Sequence, residues 1–166
     1  MHYKRNEMNL YSILRRLPDA VAVMGTNEER SSIQGTVKFY QAASGVLIVA
    51  DIFGLPVSAE PCQSNVFAFH IHGGSSCSGN ETDPFANAGT HYNPKGCPHP
   101  HHAGDLPPLF GVGNRAFLAV LTDRFTVNEV VGKTVIIHDR PDDFTTQPSG
   151  NAGNKIACGI ISMVKR

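Results

Sequence analysis

Apolar residues along this chain alternate with polar ones over short stretches instead of recurring at helical spacing. AVAVM (20–24), IQGTVKFY (33–40), VLIVADI (46–52), NVFAFHIH (65–72), RAFLAVLT (115–122), GKTVIIH (132–138) and KIACGII (155–161) each run five to eight residues. Gly, Pro, Asn and other polar residues bound them. A period near two, with β-branched and aromatic residues, predicts strands. A further strand is expected near 53–60 or 125–131. One short helix is predicted at 7–16, ending before Pro18, since the residue preceding a proline is pushed out of the helical region. No long segment carries a 3.6-residue period. The pattern therefore predicts an all-β sandwich or Greek-key barrel.

Two long stretches, 73–114 and 139–154, lack strand character. Loops of that length in a compact domain are usually functional or disordered, and the polar clusters in these two favour function. Residues 1–19 read as an N-terminal extension and residues 20–166 as one domain, a division that suits a 166-residue chain.

Composition changes this picture at one point, the histidines. There are eight in all, and His70, His72, His91, His99, His101 and His102 fall within a 33-residue window. An even spread would put fewer than two there, and metal binding is the commonest cause of such clustering. Charge removes other options. Lys plus Arg is 14 and Asp plus Glu is 14, so no protein-wide basic field favours nucleic acid. The unbroken apolar runs are far too short for a membrane-spanning helix. Four cysteines, Cys62, Cys77, Cys97 and Cys158, form no CxxC pair, which argues against a zinc ribbon or a thioredoxin-type motif. Pairing all four as disulfides allows three connectivities. Arg15 and Arg16 interrupt the apolar residues near the N-terminus, so no secretory leader is visible. The chain is expected to be cytosolic as written, or exported with its leader removed.

The histidines fall into distinct local motifs. In FHIHGG (69–74), strand alternation turns Phe67, Phe69 and Ile71 to the core and His70 and His72 to the outer face, within reach of one ion. THYNP (90–94) and PHPHHAGDLP (98–107) place four histidines and Asp105 on a Gly/Pro-rich loop, a donor set that suits zinc. In GKTVIIHDRPDD (132–143), Val135 and Ile137 face the core, His138 lies outward with Thr134, and a nearby carboxylate could orient a ligating imidazole. GNAGNKIACG (150–159) is a tight loop carrying Lys155 and Cys158. Taken singly, each motif is also compatible with ordinary surface residues.

Together, in this order, the motifs resemble those of copper/zinc superoxide dismutases, over about residues 20–164. The opening AVAVM and SIQGTVKFYQ also look like that family's first hairpin. The resemblance implies an eight-stranded Greek-key β-barrel with two long loops holding the metals outside it. It implies copper held by His70, His72, His91 and His138, and zinc by His91, His99, His102 and Asp105. His91 would then be shared by both ions and act as proton relay. Asp142 would link a copper histidine to a zinc histidine, and Cys77 and Cys158 would form the intrasubunit disulfide. Lys155 falls where the family usually has a guiding arginine. It keeps the charge needed to attract superoxide but lacks the planar multi-donor fork.

The sequence departs from the family pattern in places. His99 and His102 are closer together than is common, so His101 could replace His99 at zinc. The segment between Cys77 and His91 is long, and Cys62 and Cys97 have no clear counterpart. The expected activity is dismutation of superoxide to O₂ and H₂O₂, with no nucleic-acid or membrane partner and with a homodimer left open. The alternatives are a similar domain that binds metal with little catalysis, as copper store, chaperone or structural module, and a His-rich zinc-binding or adhesion module. The last leaves His138 and the GNAG loop unexplained.

Overall fold

The structure is a computed structural model and describes residues 10–26, 33–60 and 65–165. A short helix, α1 (Leu10–Leu14), precedes the strands β1 (Ala20–Met24), β2 (Gln34–Ala42) and β3 (Gly45–Phe53), which form an antiparallel meander. Then come β4 (Val66–Phe67), β5 (Phe69–His72), β6 (Leu109–Val112), β7 (Arg115–Thr122), a short helix α2 (Val127–Val130), β8 (Thr134–His138) and β9 (Lys155–Met163). The strand order is β4-β6-β7-β3-β2-β1-β9-β8-β5, and every pairing is antiparallel.

The two ends of that order are β4 and β5, which are consecutive in the chain and separated only by Ala68. One bent strand thus pairs with β6 through its first half and with β8 through its second, and closes the sheet into a barrel. Counted as one, β4 and β5 give the eight strands expected. At the bend, the Ala68 N–H donates to Arg140 O at 2.8 Å and the Ala68 carbonyl accepts from His138 N–H at 2.9 Å. The connection therefore anchors the segment after β8, where Asp142 lies.

The alternating pattern predicts β1 and β7 to the residue, and the other strands that it marks to within a few residues. Three local expectations need correction. Residues 65–72 are two strand segments, not one. Strand β6 lies inside the 73–114 stretch that lacks strand character in the sequence, because its four residues LFGV are too few to establish a period. Residues 125–131 hold α2 and no strand; the buried side chains of Val127 and Val130 dock it on the barrel. Of the expected 7–16 helix, the part before Leu10 lies outside the described residues. Among the described residues, no helix is long and apolar enough to cross a membrane.

Phe39, Ile48, Ile52, Phe69, Ile71 and Ile137 fill the barrel, all shut off from solvent. Each such side chain contributes roughly 1.5–3 kcal/mol by leaving water. A second, smaller cluster of Phe85, Ala88, Ile136, Cys158 and Cys77 lies outside the barrel wall and beneath the 77–91 loop. The Cys77–Cys158 disulfide, with Cα atoms 5.6 Å apart, fastens that loop to β9.

Candidate metal centre

Phe69 and Ile71 point into the barrel, which turns His70 and His72 to its outer surface. The outward direction is the one expected, yet neither histidine meets solvent there. Both are buried, at 0% and 2% exposure, because the two long loops fold over them. The first loop is hydrogen-bonded along β5. Ile71 N–H donates to Gly104 O, Tyr92 N–H to Ile71 O, and Gly104 N–H to Tyr92 O, each at 2.8 Å. A Cβ at Gly104 would lie 2.2 Å from Ile71 O, so only glycine allows this approach. The contact brings His91 beside His72 and Asp105 beside His70 as isolated antiparallel bridges.

The buried histidines fall into two groups that share one member. His70, His72, His91 and His138 form the first, and His91, His99, His102 and Asp105 the second. Within each group the potential ligand atoms lie within 4.8 Å of one another. All the histidines and the carboxylate that sequence motifs single out as donors are therefore brought together, except His101. That side chain is exposed and belongs to neither group, while His99 is buried within the second.

Four of the rings, His70, His72, His99 and His138, are oriented by the nitrogen that faces away from the group. His72 Nδ1–H donates to Gly89 O at 2.8 Å and His138 Nδ1–H to Gly153 O at 3.3 Å, so both aim Nε2 inward. His70 Nε2 lies 2.8 Å from Asp142 Oδ2, and His99 Nε2 lies 2.9 Å from Asp142 Oδ1. One carboxylate thus holds one histidine of each group. A Cβ at Gly150, a position with φ of +66°, would fall 1.9 Å from Asp142 Oδ1. The GNAG loop is glycine-rich there because it packs directly on this carboxylate. His99 is also gripped through its backbone: its N–H donates to Gln147 Oε1 at 3.0 Å, and Gln147 Nε2 donates to its carbonyl at 2.7 Å.

The inward atoms fit bound cations. His70 Nδ1 and His91 Nε2 are buried without any hydrogen-bond partner. His99 Nδ1 lies 3.0 Å from Asp105 Oδ2 without hydrogen-bond alignment. His72 Nε2 faces His138 Nε2 at 3.3 Å, and His91 Nδ1 faces His102 Nδ1 at 3.4 Å. In the first of these pairs each ring's proton sits on Nδ1, so two Nε2 lone pairs face each other, and they repel at this distance unless something positive lies between them. A tetrahedral ion bound to nitrogen at about 2.0–2.1 Å sets its ligands roughly 3.3–3.4 Å apart. Four imidazoles suit copper or zinc, and imidazoles with one carboxylate suit zinc.

Burial keeps these rings ready to ligate. It lowers His70 below the ordinary histidine range, lowers His72 well below it, and pushes His138 down to about 3. All three are neutral donors at neutral pH. Asp142 is partly desolvated, which pushes it up, but hydrogen bonds from His70, Phe144 N–H and His99 outweigh that and hold it at about 2. At Asp105, burial is likewise outweighed by the hydrogen bond from His91 and the nearby imidazoles, and its carboxyl lies below the usual range.

Two functional neighbours carry no sequence signal. Arg124 Nη1 donates to the carbonyls of Pro100, His102 and Asp105 at 3.3, 3.1 and 3.1 Å, which pins this part of the first loop from outside. Asp83, in the 77–91 loop, accepts from Lys155 Nζ at 2.5 Å. Lys155 therefore lines the approach to the histidines as half of an ion pair. That approach is a cleft of about 900 Å³ bordered by His72, His91, His138, Asp83 and Lys155. Cys97 forms no disulfide among the described residues, and Cys62 lies outside them.

Comparison with known proteins agrees with this geometry. The sequence model of the family described as copper/zinc superoxide dismutase (SODC) matches residues 33–161. "Superoxide dismutase [Cu-Zn] 2" of Aquifex aeolicus (strain VF5) is 36% identical over 143 residues, covering 76% of this chain and 78% of the relative. "Superoxide dismutase [Cu-Zn] 1" of the same organism is 32% identical over 167 aligned residues, covering 91% of each.

Proposed function

The chain belongs to the copper/zinc superoxide dismutase family, and from that premise we propose that it dismutates superoxide at a histidine-bridged copper–zinc site. Two superoxide anions and two protons become O₂ and H₂O₂. The observation that carries the reading is the position of His91. Its Nδ1 faces Asp105 and His102, while its Nε2 is buried without a partner on the side of His70, His72 and His138.

We assign copper to His70, His72, His91 and His138, and zinc to His91, His99, His102 and Asp105. Bound copper would supply electron exchange by cycling between two oxidation states, and zinc has no redox chemistry of its own. The chain's residues supply the rest. When its Nε2 is not engaged as a ligand, His91 would hold a proton there and deliver it to the reduced product, a task that suits an imidazole. Asp142 fixes the rings of His70 and His99 together, so the two centres share one support. Lys155 presents an ammonium on the cleft wall, where a fixed cation attracts small anions. The loops exclude bulk water from the ligands and leave an approach through the cleft.

Metal analysis of copper- and zinc-loaded protein, with a superoxide-consumption assay, tests this function. One copper and one zinc per chain with rapid dismutation are expected. Full loading without dismutation would instead favour a metal-storage or structural domain. The disulfide supports an exported location, since reducing cytosol disfavours such bonds.

A further inference from the structure

Lys155 enters β9 in register with His138 and directs its ammonium across the cleft wall. Among the described residues bordering that cleft it is the one lysine or arginine, whereas Glu81, Asp83 and Asp139 contribute three carboxylates. One of these meets it directly. Lys155 Nζ donates to Asp83 Oδ2 at 2.5 Å and to Phe85 O at 3.3 Å.

Asp83 is held in place for this contact. Its Oδ1 accepts from Phe85 N–H at 3.0 Å. Its carbonyl accepts from Asn80 N–H at 2.9 Å and Ala86 N–H at 3.1 Å. A Cβ on Gly79 would collide with that same carbonyl. The disulfide at Cys77, a few residues earlier, ties the whole turn to β9. The carboxylate is thus part of a locally folded loop and not a loose surface group. The Lys155 side chain is only 15% exposed and that of Asp83 37%, so solvent screens the pair incompletely. Burial pushes the Asp83 carboxyl up, but the bonds from Lys155 and Phe85 N–H, together with the nearby ammonium charge, outweigh it and hold the group below its ordinary range.

We propose that Asp83 is a specificity-determining residue of this site, which positions the Lys155 ammonium and offsets its charge so that the cleft holds small monovalent anions only weakly. An ammonium has three donors. Asp83 and Phe85 O take two, leaving one for an arriving anion. Strong anion capture would slow turnover by retaining non-substrate anions beside the histidines, and the Asp83 carboxylate limits it. This inference rests on the copper assignment made above.

Azide binding to the copper- and zinc-loaded protein, followed by its charge-transfer absorption, tests the proposal beside the dismutation rate. Asp83→Asn keeps the oxygen that accepts from Phe85 N–H, so the turn is retained. It is expected to raise azide affinity about three- to tenfold at low ionic strength, with the gain shrinking as salt is added. Glu81→Gln removes a charge from the same cleft border and is expected to change affinity less than twofold. In metal-free protein, mass-mapped acetylation of Lys155 is expected to quicken in Asp83→Asn and not in Glu81→Gln. Equal azide affinity in wild type and Asp83→Asn, or an equal gain in Glu81→Gln, overturns the proposal alone. Absence of any azide band in all three copper-loaded proteins rejects the copper assignment, and the proposal with it.

Discussion

The Nε2 atoms of His72 and His138 stand 3.3 Å apart, although 66 residues separate them in the chain. Backbone register alone does not bring this about. The antiparallel pairing of β5 with β8 sets His72 opposite Thr134, whereas His138 lies at the other end of β8, where its N–H donates to Ala68 O, so the two rings reach each other along the outer face of the strand pair. Backbone carbonyls then lock both rings. His138→Ala is expected to abolish copper-dependent dismutation while most zinc is retained, because no ligand of the second group changes. Metal content and activity measured on the same sample check both halves. Unchanged activity would reject the assignment of His138.

Asp142 couples the two groups. Asp142→Ala leaves two buried imidazole N–H groups without their acceptor, at His70 and His99. Loss of such a supporting contact typically lowers metal affinity 10–100-fold. The decrease is expected for copper and zinc alike, measured by competition with chelators. A decrease confined to one metal would show that the bridge does not act on both sites.

Replacing both Cys77 and Cys158 by Ser opens a cross-link between residues 81 positions apart. The chain-entropy account assigns about 4 kcal/mol to a loop of that length. Urea unfolding of the metal-free variant against metal-free wild type is the measurement. The 77–91 loop is also expected to become more accessible to proteases, since Phe85 and Ala88 dock beside the disulfide. A stability loss below 1 kcal/mol would contradict this account.

Acid should weaken the metal-free protein in a definite window. His70, His72 and His138 are neutral in the fold and titrate below their ordinary value, so the unfolded chain binds more protons as pH falls. Their stabilising contribution is complete above about pH 6.5 and is lost progressively toward pH 3, where His138 titrates in the fold. Asp142 adds to the loss below about pH 4, since its folded carboxyl titrates near 2. Urea unfolding of metal-free protein at pH 7, 5 and 4 is expected to show a decline of a few kcal/mol, and His138→Ala is expected to flatten it. Stability independent of pH across that range would be inconsistent with buried neutral rings.

Much of this was legible in the chain because the signals were local. Alternation in RAFLAVLT defines β7, and HxH on a strand states that two histidines share a face. The motif order, compared with a known family, joined donors that no spacing could join, such as His72 and His138. What was not legible depended on how loops lie. Strand period put His70 and His72 on the outer face but could not say how completely they are covered, because it tells which face a residue takes and not what lies over it. The choice between His99 and His101 required the Gln147 clasp and the Asp142 carboxylate. Asp83 was indistinguishable from any loop aspartate until its turn met Lys155, 72 residues away.

The backbone bonds that seat Gly104 and Tyr92 against Ile71 also have a protective consequence. β5 pairs with β8 on one side only, and its other side carries N–H and C=O groups that the ligand loop satisfies. Such an edge, left bare, is a template on which another polypeptide can add itself as a strand. The segment that gathers His91 and Asp105 is therefore also the barrel's edge cover. If it detached, the protein would lose its chemistry and acquire a self-adhesive border in one event.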